Sequence, residues 1–211
     1  MMDSTENKLS QEQIWDAVAH KWKEFRTEPH KPAIEFLKKN TKPGSKVLDF
    51  GCGSGRNFVE LKGSRIYGTD FSGRMILFAR ENARKKGLYV ELRKTNNERI
   101  PFDDKYLDIG ICVAVIHCVD SPIKREALLR ELFRVMKRDS KVFITVWSKN
   151  HERIKKKTGE QFVPWTIDGQ RYNRYYYIYE QKEFKALLEK VGFEVEKITE
   201  DENINVIVRK P

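Results

Sequence analysis

The chain has 211 residues, enough for a sizeable buried core, and its 39% apolar and 34% charged residues exclude a disordered polypeptide. Forty-one Lys and Arg against 31 Asp and Glu leave a formal charge of +10, a balance that speeds encounter with a polyanion. The polar first residues, 1–13, lack a signal-peptide core, and the longest apolar run, 107–119, carries Asp108, Gly110 and His117 and is too short to cross a bilayer.

In chain order, Ser10 and Gln13 form a capping box that starts a first helix, along which Ile14, Val18, Trp22 and Phe25 share one face. Pro29 and Pro32 interrupt, a short helix runs to Asn40, and Pro43-Gly44 turns into the first strand. Strands are expected near 46–50, 65–69, 88–94, 107–115 and 141–147, with helices near 55–62, 73–86 and 122–137 between them. Ser121 caps the last of these helices and Pro122 opens it. A basic insertion over 148–174 follows, with seven cations (Lys149, Arg153, Lys155, Lys156, Lys157, Arg171, Arg174) against three acids, and Trp165 inside it. A helix over 181–191 stops at Gly192, and strands 193–198 and 204–209 close the chain as a hairpin.

Strands that alternate with helices predict an α/β fold. It should be Rossmann-like and doubly wound, with a mostly parallel seven-stranded sheet and an antiparallel C-terminal hairpin. One domain is expected over 1–211, with a helical cap over 10–40. The ligand belongs beyond the carboxyl ends of the strands, at the switch point.

The most telling segment lies there. After Val47-Leu48 the chain reads Asp49-Phe50-Gly51-Cys52-Gly53-Ser54-Gly55, and Asp70 follows Gly51 by 19 residues. Glycines let the backbone turn sharply and approach a ligand, and an acid at the end of the second strand can accept hydrogen bonds from both ribose hydroxyls. A dinucleotide loop reads G-x-G-x-x-G, whereas this one reads G-x-G-x-G with Arg56 in the last place. A nucleoside cofactor without a pyrophosphate is therefore expected, namely S-adenosylmethionine.

Asp49, Gly51, Gly53, Gly55, Asp70 and Phe71 would hold its methionine and ribose parts, with Val113 at the end of the fourth strand also in contact. Asn96 or Asn97 would bond the adenine amine, and Ile100 or Phe102 would wall it. The stretch Ala114-Val115-Ile116-His117-Cys118 lies beside the reactive methyl, which makes His117 the leading catalytic candidate. Enzymes that methylate adenine or glutamine place a polar residue, two prolines and an aromatic at this strand end, a pattern missing here. Cys52, Cys112 and Cys118 show neither metal-ligand spacing nor a paired framework, so no metal is expected and a reducing cytoplasm suits them. Cys118 reads as packing rather than as a nucleophile.

Read with the insertion, these residues resemble the tRNA wobble-uridine carboxymethyl methyltransferases, including the methyltransferase domain of the animal AlkB-homologue fusion enzyme. The likeness runs over roughly 14–195. The glycine corner identifies only the class I S-adenosylmethionine fold. More specific are Ala114-Val115-Ile116-His117, Phe162-Val163-Pro164-Trp165, Gln170-Arg171-Tyr172 with Tyr175-Tyr176, and Phe25-Arg26 before Pro29. The family usually has an acid where this chain has Asn96, and commonly a second histidine in place of Cys118. Lacking an oxygenase or RNA-recognition domain, the chain looks like the free-standing enzymes.

The resemblance implies methyl transfer to the carboxylate of 5-carboxymethyluridine at the tRNA wobble position, giving a methyl ester. It implies that Arg26, His117 and Arg171 hold the anionic arm or its phosphate, and that Trp165 and Tyr172 stack on the flipped uracil or wall the pocket. Arg174 joins the substrate contacts, and 155–157 meets the tRNA backbone or is a solvated loop. It also implies a small zinc-binding activator subunit added to the sheet edge near 88–94, as a heterodimer. Two other readings stand beside it: a small-molecule methyltransferase acting on a quinone precursor or a free carboxylic acid, and a module that binds cofactor or tRNA without catalysis.

Overall fold

In the computed structural model, residues 9–96, 99–154 and 156–211 are described. Among the described residues, nine strands and five helices follow one another: α1 (Gln11–Phe25), α2 (Lys31–Asn40), β1 (Lys46–Phe50), β2 (Arg65–Asp70), α3 (Gly73–Lys85), β3 (Val90–Lys94), β4 (Leu107–Val113), α4 (Pro122–Val135), β5 (Met136–Trp147), β6 (Gly159–Ile167), β7 (Gln170–Ile178), α5 (Gln181–Val191), β8 (Glu194–Glu200) and β9 (Asn203–Arg209). A 3-10 turn, Ile116–Cys118, follows β4.

Seven strands form one sheet in the order β3-β2-β1-β4-β5-β9-β8. The pairings from β3 to β5 are parallel, and β9 enters antiparallel between β5 and β8. This is the Rossmann-like, doubly wound fold that the alternating pattern predicts. Apolar residues cover both faces, as a mostly parallel sheet requires. Leu128, Leu132, Phe184 and Leu188 of α4 and α5 bury Leu48, Leu107 and Ile144 on one side. Phe36 and Leu37 of α2 bury Val47, Ile109, Ile111 and Phe143 on the other. Because β1 pairs β2 on one flank and β4 on the next, the switch point opens between the ends of β1 and β4.

Several local signals act as expected. Ser10 and Gln13 make both bonds of the capping box. Gly192, at φ 113°, ends α5 in the left-handed region. Lys210 is buried and stops α4 from outside, its ammonium donating to the carbonyls of Phe133 at 2.7 Å and Met136 at 2.8 Å.

Other expectations need correction. Residues 55–62 are not a helix: the Gly55 N–H donates to Cys52 O and that of Phe58 to Gly55 O, so tight turns carry the chain from one glycine to the next. The helix expected over 122–137 ends at Val135, and β5 begins at once with Met136. The insertion, for which no strands were expected, contains β6 and most of β7, which pair antiparallel from Gly159↔Ile178 to Ile167↔Gln170 as a separate two-stranded sheet. Phe25 leaves the buried stripe of α1 and is 70% exposed. Among the described residues, no helix is long and apolar enough to cross a membrane.

Candidate active site

At the end of β1 the backbone makes three left-handed turns, Gly51 at φ 69°, Gly53 at 54° and Gly55 at 77°. A Cβ on Gly51 would lie 2.2 Å from Val115 Cγ2, and one on Gly55 2.4 Å from Phe58 Cε2, so close packing as well as dihedral angle demands glycine. Asp70 fastens this loop. Its Oδ2 accepts the Gly53 N–H at 2.9 Å and its Oδ1 accepts that of Ser72 at 2.9 Å. Burial pushes the Asp70 carboxyl up to about 6 against these bonds.

Asp49 is buried beneath the same loop, its carboxylate close to the Asn57 side chain but with neither oxygen in a hydrogen bond of full geometry. Desolvation pushes it up to about 7, with Arg56 drawing it down. An orphaned carboxylate next to a donor-rich loop fits a cationic ligand group such as an α-ammonium.

In front of the loop lies a cavity of about 260 Å³, walled by Gly51, Gly53, Asp70, Phe71, Val113 and Asn96 among others. Its dimensions and lining suit an adenosine with an amino-acid tail. Trp15 and Trp22 cover it from α1, which is tied down on both sides. Asp16 accepts from the Ser72 hydroxyl and the Arg74 N–H, and Gln11 Oε1 accepts the Tyr175 N–H of β7 at 3.0 Å.

Trp15, Trp22, Arg56, Val113, Ala114 and Cys118 also wall a second chamber of about 130 Å³, completed by Arg26, His30, Thr145, Trp147, His151, Tyr176 and the turn residues Glu202 and Asn203. Its three histidines share one arrangement. His117 Nδ1 accepts the Trp147 N–H at 3.2 Å, His30 Nδ1 that of Ala33 at 3.4 Å, and His151 Nδ1 that of Arg153 at 3.3 Å. Each ring has committed its lone pair to the backbone, so each carries its hydrogen on Nε2. Burial pushes His117 down to about 3 and His30 down to about 4, and lowers His151 as well; these are neutral donors. His117 Nε2 and Trp15 Nε1 are buried without partners.

The sequence-predicted residues divide accordingly. Gly51, Gly53, Asp70, Phe71, Val113 and Asn96 share the first cavity, with Asp49 and Gly55 immediately behind it. Asn97 and Lys155 lie outside the described residues. Arg26 and His117 share the second chamber, but His117 is wholly buried in an aromatic stack, with Trp147 at 5.5 Å and Tyr176 at 5.4 Å, rather than projecting from a strand end.

Arg171 sits exposed near the hairpin turn, bonded to Asn173 Oδ1, and walls neither cavity. Arg174 is the buried cation instead. Its Nη1 donates to the Tyr176 hydroxyl at 3.0 Å, and its guanidinium lies 4.9 Å from the Trp165 ring and 5.8 Å from that of Trp22. Among the described residues no carboxylate pairs with it. Trp165 and Tyr172 are half-buried and pack on α1 behind the chamber. Burial pushes the Cys118 thiol up to about 12, which suits packing rather than nucleophilic attack.

The sequence reading missed Trp15, His30, Trp147, His151 and Tyr176. Trp15 was findable, being seven residues before Trp22 on one helical face. Nothing local marks His151, whose place depends on the turn after β5. Among the described residues, no group of three or more His, Cys, Asp or Glu could hold a metal.

Residues 48–144 match the family described as a methyltransferase domain. Probable tRNA methyltransferase 9B of Mus musculus is 28% identical over 134 residues, which is 64% of this chain and 29% of that protein. The chain spans about a third of the length of the 9B proteins it matches. Ubiquinone/menaquinone biosynthesis C-methyltransferase UbiE of Burkholderia cenocepacia is 27% identical over 182 residues, 78% of this chain and 74% of that one. A chain of the "complex between the Haloferax volcanii Trm112 methyltransferase activator and the putative methyltransferase" superposes with a TM-score of 0.69 at 16% identity, covering 96% of this chain and 98% of that one. The cofactor of this fold and corner is S-adenosylmethionine.

Proposed function

We propose that this class I S-adenosylmethionine-dependent methyltransferase esterifies a carboxylate, and that the carboxylate is the 5-carboxymethyl arm of uridine at the tRNA wobble position. One observation carries the reading: the substrate chamber is walled by donors. Arg26, Arg56, Trp15 and three histidines with hydrogen on Nε2 present N–H groups, while no histidine lone pair remains to take a proton. The carboxylate on this wall, Glu202, stands on the exposed β8–β9 turn. Such a chamber suits an acceptor that arrives already ionised. A carboxylate, with a reference pKa of about 4, is ionised at neutral pH and requires no general base.

S-adenosylmethionine supplies the methyl group from its sulfonium. For the cofactor, Asp70 would receive the ribose hydroxyls with its remaining lone pairs, Asp49 would meet the ammonium, and Asn96 would meet the adenine. Gly51, Gly53 and Gly55 let the loop approach. For the substrate, Arg26 and the Nε2–H of His117 would orient the carboxylate, and Arg174, buried without an acid, makes the field behind the wall positive. The aromatic walls formed by Trp15, Trp22, Trp147 and Tyr176 exclude water. Because opposite charges are neutralised during transfer, dehydration favours the reaction and placement does most of the work.

The tRNA assignment is supported by the similarity to tRNA methyltransferase 9B, by the formal charge of +10 and by the cations of the hairpin insertion. An activator subunit is supported by the neighbouring fold solved with Trm112 and by the edge strand β3, preceded by Tyr89 at 87% exposure. A cytoplasmic setting belongs to the same reading.

The similarity to UbiE favours a second reading, methylation of a small molecule. Carbon methylation needs a proton acceptor, and the committed histidine lone pairs argue against it. Nucleoside mass analysis of tRNA incubated with the protein, an activator and labelled S-adenosylmethionine tests both. Labelled methyl ester on carboxymethyluridine is expected; label found only in small-molecule extract would overturn the proposal.

A further inference from the structure

We infer that Phe25 is a stacking platform for the nucleobase next to the target uridine, which makes it a determinant of polymeric substrate. The inference rests on the reading of the substrate as an RNA. Phe25 ends α1 with 70% of its surface exposed, although it continues the face on which the helix buries Val18. Its ring is held 5.9 Å from that of Trp165, at a tilt of 57°, so an ordered aromatic edge backs it from β6. The next residue, Arg26, walls the substrate chamber and lies over the Trp22 ring at 5.3 Å. A strand that delivers a base to the chamber therefore passes Phe25.

The charges around the platform suit a polyanion. Burial, and after it Arg153 and Arg174, lower Arg26 against the opposing pull of Tyr176 and Glu152, while Glu24 is paired with Lys21 at 3.0 Å. Flipping a base out of a loop leaves its neighbour unstacked, and an exposed aromatic replaces that contact without regard to base identity.

The test uses the full chain with S-adenosylhomocysteine and an anticodon-loop RNA with 5-carboxymethyluridine at the wobble position, carrying 2-aminopurine on its 5′ or 3′ side. Binding by the wild type should quench the 2-aminopurine at one of the two positions. Phe25→Ala should abolish that quenching and weaken RNA affinity by about tenfold. Phe25→Tyr should preserve both, and calorimetry with S-adenosylhomocysteine should show the cofactor site intact in each variant. Quenching and affinity unchanged in Phe25→Ala would overturn the platform while leaving the tRNA reading in place. An RNA loop that the wild type does not bind would overturn the tRNA reading, and this inference with it.

Discussion

His117 Nδ1 accepts the backbone N–H of Trp147, 30 residues further along the chain, at 3.2 Å. This bond turns the residue that looks most like a base into a donor. With burial holding it down at about 3, the ring stays neutral throughout the working range. His117→Ala should lower kcat/KM about 10- to 100-fold, the cost of one buried donor, and His117→Gln should recover part of it. The pH profile of the wild type between 6 and 8 should show no inflection that His117→Ala removes; finding one would mark an ionising base.

Asp49 and Asp70, held up at about 7 and about 6, make cofactor affinity depend on pH. Both lie above the unfolded value of about 3.9, so the ligand-free fold holds more protons than the unfolded chain between about pH 4 and 7, and these groups lose it stability as pH rises through that window. His30 and His117 act oppositely, being neutral when folded and costing stability as pH falls below about 6.5. A cofactor ammonium beside Asp49 favours its ionised form. Binding of S-adenosylmethionine should therefore release protons and tighten from pH 5.5 to 7.5. Asp49→Asn should flatten this dependence, weaken binding at least about tenfold at pH 8, and raise the melting temperature of the free protein there. Calorimetry in two buffers of different ionisation heat, with thermal melts, reads all three.

Gly51 and Val115 are coupled through space. The Cβ of Gly51→Ala would stand 2.2 Å from Val115 Cγ2, at φ 69°. The single variant should lose about 1–3 kcal/mol and its cofactor affinity. Adding Val115→Ala should return the steric part and leave the dihedral part, about 1–2 kcal/mol. Additive losses in denaturant titrations would mean that the two residues do not meet.

Arg174 and Arg171 should respond in different ways. Arg174 is buried among aromatic rings without an acid partner, so Arg174→Met should leave stability unchanged or improve it while raising KM for an anionic substrate about tenfold. A merely structural cation would give the reverse pattern. Arg171→Met, on the exposed turn, should lower the salt dependence of RNA binding by about one counterion.

The parts of the site that could be read in advance are those made by neighbours in sequence. Gly51, Gly53, Gly55 and Asp70 belong to the one stretch from the end of β1 to the end of β2, where strand ends and left-handed turns leave a local pattern. Ser10, Gln13 and Gly192 are likewise marked by cap chemistry within a few residues. Two features escaped. The 55–62 segment carries apolar spacing compatible with a helix, yet Gly53 and Gly55 take left-handed angles that leave no helical nucleus, and tight turns carry the chain onward. The hairpin of β6 and β7 was not expected from the sequence; it contains Pro164, whose missing N–H is tolerated in a two-stranded ribbon with free edges.

The order of strands and helices, the glycine corner and the acid after β2 follow from the order of residues alone, because each depends on dihedral preference and short-range hydrogen bonding. Which arginine is buried, and which nitrogen of each chamber histidine carries the hydrogen, was decided only when β5, the turn after it and the hairpin came together with α1. Burial and the identity of a hydrogen-bond partner are properties of what surrounds a side chain, and for His117 that surrounding comes from Trp147 and Tyr176, which no local pattern around the histidine encodes.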